Sequence, residues 1–396
     1  MRAHSWLPPS PVVVVLALTG SAVAQGYREY RSPSFRDFEI VRSRPTPWER
    51  GLVVRGGLAG NAPLEEDVAL GLDTKTSFDG FAWYRDDHLG DRDAQVDLYA
   101  GRDGVIATIR DGRKEENGGR LELSSRFFPF YREGFYRGDD YVPTGRYEGR
   151  DYGAYLGLSA PLADGIQGEI GPFWRHYSFS RNVDTAATYT IPEDYDTFGG
   201  RIHVQHATLS FDRNNARAQD GFLFAARAEY ERNTANEEFG TALWTSTLPS
   251  AFWRATGHLE WYFPTEGGNV WELQVDAGMS DTADRVYNFD VSKPVGNLWV
   301  DGSVGFRLEF GDLAITPAGR LQYTVTVDES GTGSDANLWY GGGLNIDWFL
   351  GDSFSLIANY SFLNNPSRPT IAFDQDLSGE HQFFLGLELR IGTRSN

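Results

Sequence analysis

Hydrophobic and polar residues alternate with a period of two along much of this chain, most clearly in its second half. Residues 253–263 place Trp253, Ala255, Gly257, Leu259, Trp261 and Phe263 on one face and Arg254, Thr256, His258, Glu260 and Tyr262 on the other. The next segment sets Trp271, Leu273, Val275, Ala277 and Met279 against Glu272, Gln274, Asp276 and Gly278. Leu298, Val300, Val304, Phe306, Leu308 and Phe310 then oppose Trp299, Asp301, Ser303, Arg307 and Glu309, and Leu321, Tyr323 and Val325 oppose Arg320, Gln322 and Thr324. Upstream, Phe222, Phe224, Ala226, Ala228 and Tyr230 face away from Arg227, Glu229 and Glu231. A soluble sandwich alternates in the same way. Strands of about 9 to 13 residues, aromatics at strand ends, and connections that alternate long and short point instead to a transmembrane antiparallel β-barrel.

The pattern predicts twelve strands near 120–131, 152–160, 166–178, 198–211, 221–231, 253–263, 270–279, 298–310, 313–327, 338–350, 354–363 and 381–391. Long connections fall at 132–151, 179–198, 232–252, 280–297, 328–337 and 364–380, with short turns between them, as in a barrel inserted from the periplasm. Further strands are expected at 50–59, 67–76 and 92–110. Gly101 to Gly104 offers a place to fold the last of these into a hairpin. Taking 92–110 as one strand and Phe35 to Ser43 as another gives sixteen strands with both ends of the barrel periplasmic; fourteen is the alternative count.

Before the first strand, Arg2, an apolar run from Val12 to Leu18 and the small residues Ala22 and Ala24 read as a cleavable export signal over 1–24. The run is far short of the roughly 20 residues a spanning helix needs. A short periplasmic lead is expected over 25–34 and the barrel over 35–396. Cysteine is absent, which excludes disulfides, thiolate metal sites and a lipidated cysteine. Glycine at 45 of 396 residues, aromatics at 14% and a mean hydropathy of -0.42 suit a barrel, which exposes only alternate residues to lipid. The net charge of -19 excludes nucleic acid as a partner class. Outer-membrane lipid is the expected environment, and the cell outer membrane the expected location.

On the expected lumen face stand Arg227, Glu229, Glu231, Arg254, His258, Glu260, Glu272, Asp276, Asp301, Arg307, Glu309, Arg320, Asp347, Glu388 and Arg390. Such charges either pair and stiffen the barrel or line a wet channel. The nine acids against five arginines in this set would give an open channel a mild preference for cations. No nucleophile elbow, zincin helix or calcium loop is present. The nearest approach to catalytic chemistry is Asp86, Asp87 and His88 with Asp91 and Asp93, expected in a solvated loop at the outer rim. His203 and His206, three apart in a strand, point to opposite faces, and His176 and His258 are isolated, so no metal site is expected. The chain is read as a non-enzyme without a cofactor.

The segment from His206 through Asp212, Arg213 and Asn214 to Gly221, followed by an alternating strand, resembles the Asp-x-Arg-Asp to Gly turn of the bacterial surface antigen family of outer-membrane barrels. The hairpin around Tyr262, Phe263 and Pro264 resembles that family's next strand pair. The likeness covers about 204–280 and places the turn between strands eight and nine of sixteen, where the family has it. Two departures stand out: 280–297 holds Arg285-Val286-Tyr287 in place of the family's Arg-Gly-Phe/Tyr motif, and its periplasmic repeats are not found. The resemblance implies a role in outer-membrane protein insertion or polypeptide or lipid translocation, through a weak seam between first and last strands, with periplasmic accessory proteins or client polypeptides as partners. The alternative is a passive porin-like channel or structural surface protein, distinguished by whether the 280–297 loop folds into the lumen.

Overall fold

The computed structural model describes residues 48–394 apart from 64–74, 90–93, 102–103, 112–116, 130–134, 138–139, 143–146, 182–184, 213–216, 243, 248, 282–297, 328–333, 352, 365–367, 370–375 and 378–379. Sixteen antiparallel strands follow one another around a closed barrel. They are β1 (Trp48–Pro63), β2 (Lys75–Leu89), β3 (Ala94–Gly101), β4 (Gly104–Arg110), β5 (Gly118–Pro129), β6 (Glu148–Ala163), β7 (Ile166–Ser180) and β8 (Tyr195–Ala207). The circuit continues with β9 (Ala218–Asn233), β10 (Ala251–Pro264), β11 (Val270–Ser280), β12 (Leu298–Phe310), β13 (Leu313–Val327), β14 (Ser334–Phe349), β15 (Phe354–Asn364) and β16 (Glu380–Arg394). Each strand pairs with its chain neighbour, and β16 returns to pair with β1. Closure gives every one of the sixteen strands a partner on each side, which is what permits strands to cross a bilayer.

The alternation read from the sequence sorts onto two surfaces. Outward residues such as Leu158 (72% exposed), Leu156, Ile170, Phe224, Trp261, Trp271 and Leu385 form an apolar belt for lipid, whereas the residues between them are buried inside the barrel. Short turns, apart from the one between β3 and β4, share one end with both ends of the described barrel, the periplasmic one in an outer-membrane barrel. At the other end, the long connections hold small hairpins such as Glu238–Thr241 with Trp244–Thr247. Thr190 and Gly240 exchange backbone hydrogen bonds of 2.7 and 2.8 Å and tie two of these connections together. Tyr147, Tyr177, Tyr189, Tyr195 and Phe239 pack beneath that tie as a buried aromatic cluster.

The count of sixteen holds, but two strands differ from expectation. The second barrel strand is Lys75–Leu89, residues 67–74 of the expected 67–76 strand lying outside the described residues, and 92–110 is the hairpin of β3 and β4, so sixteen is reached without Phe35 to Ser43, which also lies outside them. The reason is physical: Phe81 and Trp83 face the lumen while Phe78, Ala82 and Tyr84 alternate with them on the other face, so the middle of β2 is apolar on both faces and shows no period-two contrast. Asp86, Asp87 and His88 consequently belong to the periplasmic end of β2 and not to an outer-rim loop. Asp91 and Asp93, the leader over 1–24 and the lead over 25–34 lie outside the described residues.

Candidate functional site

The wall of the lumen is where the chain concentrates its chemistry. In a strand every second side chain points inward, and neighbouring inward residues stand opposite one another across the ladder. This register places Arg201 opposite Glu229 and Glu229 opposite Arg254, so one carboxylate lies between guanidiniums on both neighbours. Arg201 Nε donates to Glu229 at 2.6 Å, Arg254 Nε at 2.9 Å, Arg227 Nε at 2.8 Å and Arg175 Nη2 at 3.1 Å. Glu231 shares Arg254 at 3.1 Å and Arg175 at 3.5 Å. Arg201 also reaches Glu122 on β5 at 3.0 Å, so the cluster ties β5 to β10. All these groups but Arg254 are buried, and Glu229 is nearly sealed. Four cations around one desolvated carboxylate cannot be dismantled singly without leaving an uncompensated buried charge.

Further along the wall, His258 stands between Asp276, 2.9 Å from Nδ1, and Glu260, 2.8 Å from Nε2, and the Tyr262 hydroxyl donates to Glu260 at 3.1 Å. Arg320 makes a two-pronged contact with Asp301 at 3.0 and 2.7 Å. Arg307 bridges Glu272 at 2.8 Å and Glu309 at 2.7 Å, and donates to the Ala218 carbonyl on β9 at 2.6 Å. Glu388 takes Arg55 from β1 and Arg390 from its own strand.

The lumen charges named from the sequence lie inside the barrel in these groupings, apart from Asp347, whose carboxylate lies 3.6 Å from Arg217. The sequence reading missed a second set: Arg55, Arg85, Arg110, Arg120, Arg126, Arg175, Arg201 and Arg217 are buried, with Asp97, Glu122, Asp151 and Glu169. Among the described residues these eight arginines against four acids offset the nine-to-five acidic excess of the first set. Period-two spacing holds the signal for Arg120 and Glu122, and for Glu169 and Arg175; Arg217 gives none, because it sits in a turn.

That turn is the family-like one. Asp212 N–H donates to the Arg217 carbonyl at 2.8 Å, and Gly221 holds a left-handed φ of 93° where a Cβ would fall 2.4 Å from the Thr208 carbonyl oxygen. Arg213 and Asn214 lie outside the described residues. Arg217 leaves the turn inward, donates to Glu309 at 2.8 Å and to the Asp347 carbonyl at 3.3 Å, and stacks over Phe349 at 4.1 Å. It thereby braces the periplasmic end across five strand spacings, from β9 to β14.

No family model matches the chain, and no curated protein matches it by sequence. Among solved structures it is similar to CdiB from Acinetobacter baumannii, at 12% identity over 86% of this chain and 60% of that one, with a TM-score of 0.49. It is similar also to BamA from Haemophilus ducreyi lacking POTRA domains 1-3, at 11% identity over 86% and 70% with a TM-score of 0.49. OprB from Pseudomonas putida matches at 10% identity over 90% and 96% with a TM-score of 0.45. The chain spans 60% of the length of CdiB, the first of these. Its own construction, a closed barrel with an apolar belt and a charged interior, is that of an integral outer-membrane protein in contact with lipid.

Proposed function

We propose that the protein is a lumen conduit with a permanently closed seam, passing solutes or an extended chain through its interior and not sideways between its first and last strands. One observation carries this reading. The β1–β16 seam is paired from Trp48 opposite Arg394 to Pro63 opposite Glu380, with a register shift only at the periplasmic tip. Inside it, Arg55 Nε donates to Glu388 at 2.8 Å, and both groups are buried. Gly57 stands opposite Gly386, and a Cβ on Gly57 would fall 2.5 Å from the Gly386 Cα and 2.8 Å from the Phe384 ring. The bare backbones let that ring lie flat across the join. A seam that yields to a client strand by β-augmentation needs few pairs and weak packing; this one has neither property.

A relation to the bacterial surface antigen family draws its support from the turn at Asp212 to Gly221, and passage of a polypeptide through the lumen, with periplasmic accessory proteins, is compatible with the closed seam. No catalytic role is assigned: Asp86 is engaged by Arg50 and Tyr84, and Asp87 by Arg85.

The chain has no cysteine, so a single disulfide can lock the seam. Val54→Cys with Leu389→Cys pairs two directly opposed residues. In planar bilayers the oxidised variant is expected to conduct with the same small, steady steps as the unmodified protein. Abolition of current by oxidation, with recovery on reduction, would show that the seam opens and would sink the proposal.

A further inference from the structure

His176, isolated in the sequence, gains polar neighbours on the outside of the barrel. Strand β7 runs outward from Ile166 to Ser180. Near its outer end Tyr177 turns into the buried aromatic cluster, while His176 and Ser178 on either side of it face away from the lumen. The ladders fix what stands beside them. Asp196 of β8 lies directly opposite His176 on one side and Tyr152 of β6 on the other, and Arg150 of β6 lies opposite Ser178. Trp174, Phe198 and Tyr152 are exposed on the same face and mark the outer edge of the apolar belt, so the group sits where acyl chains give way to headgroups.

The residue types of a nucleophilic hydrolase meet here. His176 Nδ1 lies 3.1 Å from Asp196 Oδ1. A carboxylate can only accept, so Nδ1 carries the hydrogen and Nε2 is left as the basic nitrogen. Asp196 is itself held: Trp174 Nε1 donates to the same oxygen at 3.0 Å, and the Asp196 N–H donates to Thr234 Oγ1 at 2.9 Å. Ser178 follows His176 by two residues on one face of a strand. Their Cα atoms are then about 7 Å apart, within which rotation of the serine brings its hydroxyl to Nε2. Arg150, across the ladder from Ser178 with Cβ atoms roughly 5 Å apart, places a cation beside the position of a developing oxyanion.

The support behind the group is firm. Tyr177, between His176 and Ser178, is fully buried and stacks on Tyr195, the chain neighbour of Asp196, with ring centroids 4.9 Å apart. The two strands are thus pinned from inside at the level of the outward residues, as a reacting constellation requires. Side-chain exposures of 36% for His176 and 42% for Asp196 leave the pair open to a substrate arriving from the membrane.

We infer that Ser178 and His176, with Asp196 as positioning residue, form a catalytic triad on the lipid-facing wall that hydrolyses a carboxylic ester of an outer-leaflet lipid. Ser178 Oγ attacks the ester carbonyl carbon while its proton passes to His176 Nε2. Collapse of the tetrahedral intermediate breaks the bond to the alcohol oxygen, which takes that proton and leaves Ser178 acylated. Water, giving its proton to the same nitrogen, then releases the fatty acid and restores the serine. Water is the only co-reactant. The triad shares no side chain with the lumen wall or the β1–β16 seam, so this activity stands beside the conduit, and Asp86 and Asp87 take no part in it.

The test uses the purified full chain in phosphatidylethanolamine and phosphatidylglycerol vesicles, treated with a fluorescent fluorophosphonate and, separately, with 4-nitrophenyl octanoate. One covalent label per chain is expected, on the peptide that contains Ser178. Ester hydrolysis should fall about 1,000-fold or more in Ser178→Ala, His176→Gln and Asp196→Asn, with part of the loss regained in Asp196→Glu. Ser180→Ala, exposed two residues further along the same face, should keep both label and rate. Heat-modifiable gel mobility reports whether each variant is folded, and labelling of the unmodified chain decides the matter where one is not. No label at Ser178 in the unmodified chain, or hydrolysis that survives Ser178→Ala, would overturn the proposal and leave the closed seam and its conductance as they stand.

Discussion

Two stretches of the same lumen wall differ in what fills them. From β7 to β12 the inward positions carry a lattice of ion pairs centred on Glu229, His258 and Arg307, while from β1 to β4 the apolar cluster of Val53, Phe81, Trp83, Tyr99 and Ile106 stands among Arg55, Arg85, Asp97 and Arg110. The difference teaches what each filling can do. Charge-assisted hydrogen bonds are directional, so the lattice fixes the register of several strands at once and spans from β5 to β14 through Arg201 and Arg217. Apolar rings impose no such alignment. They fill volume, and it is in this sector that the wall tolerates a hairpin cut short at Gly101 and Gly104.

The comparison breaks most severely at Glu229. Glu229→Ala leaves Arg175, Arg201, Arg227 and Arg254 crowded without their shared anion and should cost about 3–5 kcal/mol. Urea unfolding in lipid vesicles would register this as a lowered midpoint, and the loss should shrink in high salt, which screens the exposed part of the repulsion. Phe81→Ala removes a ring from the aromatic sector and should cost less, about 2–3 kcal/mol, since the ring packs in a single layer and not in a full core. The same titration should find no dependence on salt; a salt-sensitive loss would erase the distinction between the sectors.

The smallest effect is expected at the outer end, outside the membrane. Glu193 lies beside Glu237, whose like charge raises the Glu193 pKa above the usual carboxylate value. A raised acid favours the folded arrangement below its unfolded pKa, and that contribution is lost as pH rises through the folded value. The Thr190–Gly240 tie between the same two connections should accordingly loosen with rising pH. Faster amide exchange at Thr190, abolished by Glu237→Gln, would register it; an unchanged profile in that variant would assign the effect elsewhere.

How far the sequence carried this picture depended on which side of a strand held the apolar residues. Along β10 to β13 the outward residues are apolar and the inward ones polar, so strands, faces and the charges Arg254, Glu260, Asp276 and Arg320 could all be placed by period alone. In β2 the inward residues include Phe81 and Trp83 and the outward ones Phe78, Ala82 and Tyr84, so the contrast between faces vanishes, and the lower end of the strand was taken for an acidic loop. Arg217 was beyond reach for a different reason: a turn residue has no periodic face, and only the closed barrel brings it to Glu309 and Asp347. Seam strength was likewise invisible, since it depends on pairing residues over 300 positions apart.

The most direct test of the closed seam is hydrogen exchange on the protein in lipid, compared strand by strand. Amides of β1 and β16 around Arg55 and Glu388 should be as protected as those of the β9–β10 pair at Glu229 and Arg254, because both ladders are long, continuous around these residues and pinned by buried ion pairs. Rapid exchange confined to β1 and β16, with β9 and β10 still protected, would mean that the barrel opens at its seam and would contradict a conduit that works through its lumen alone.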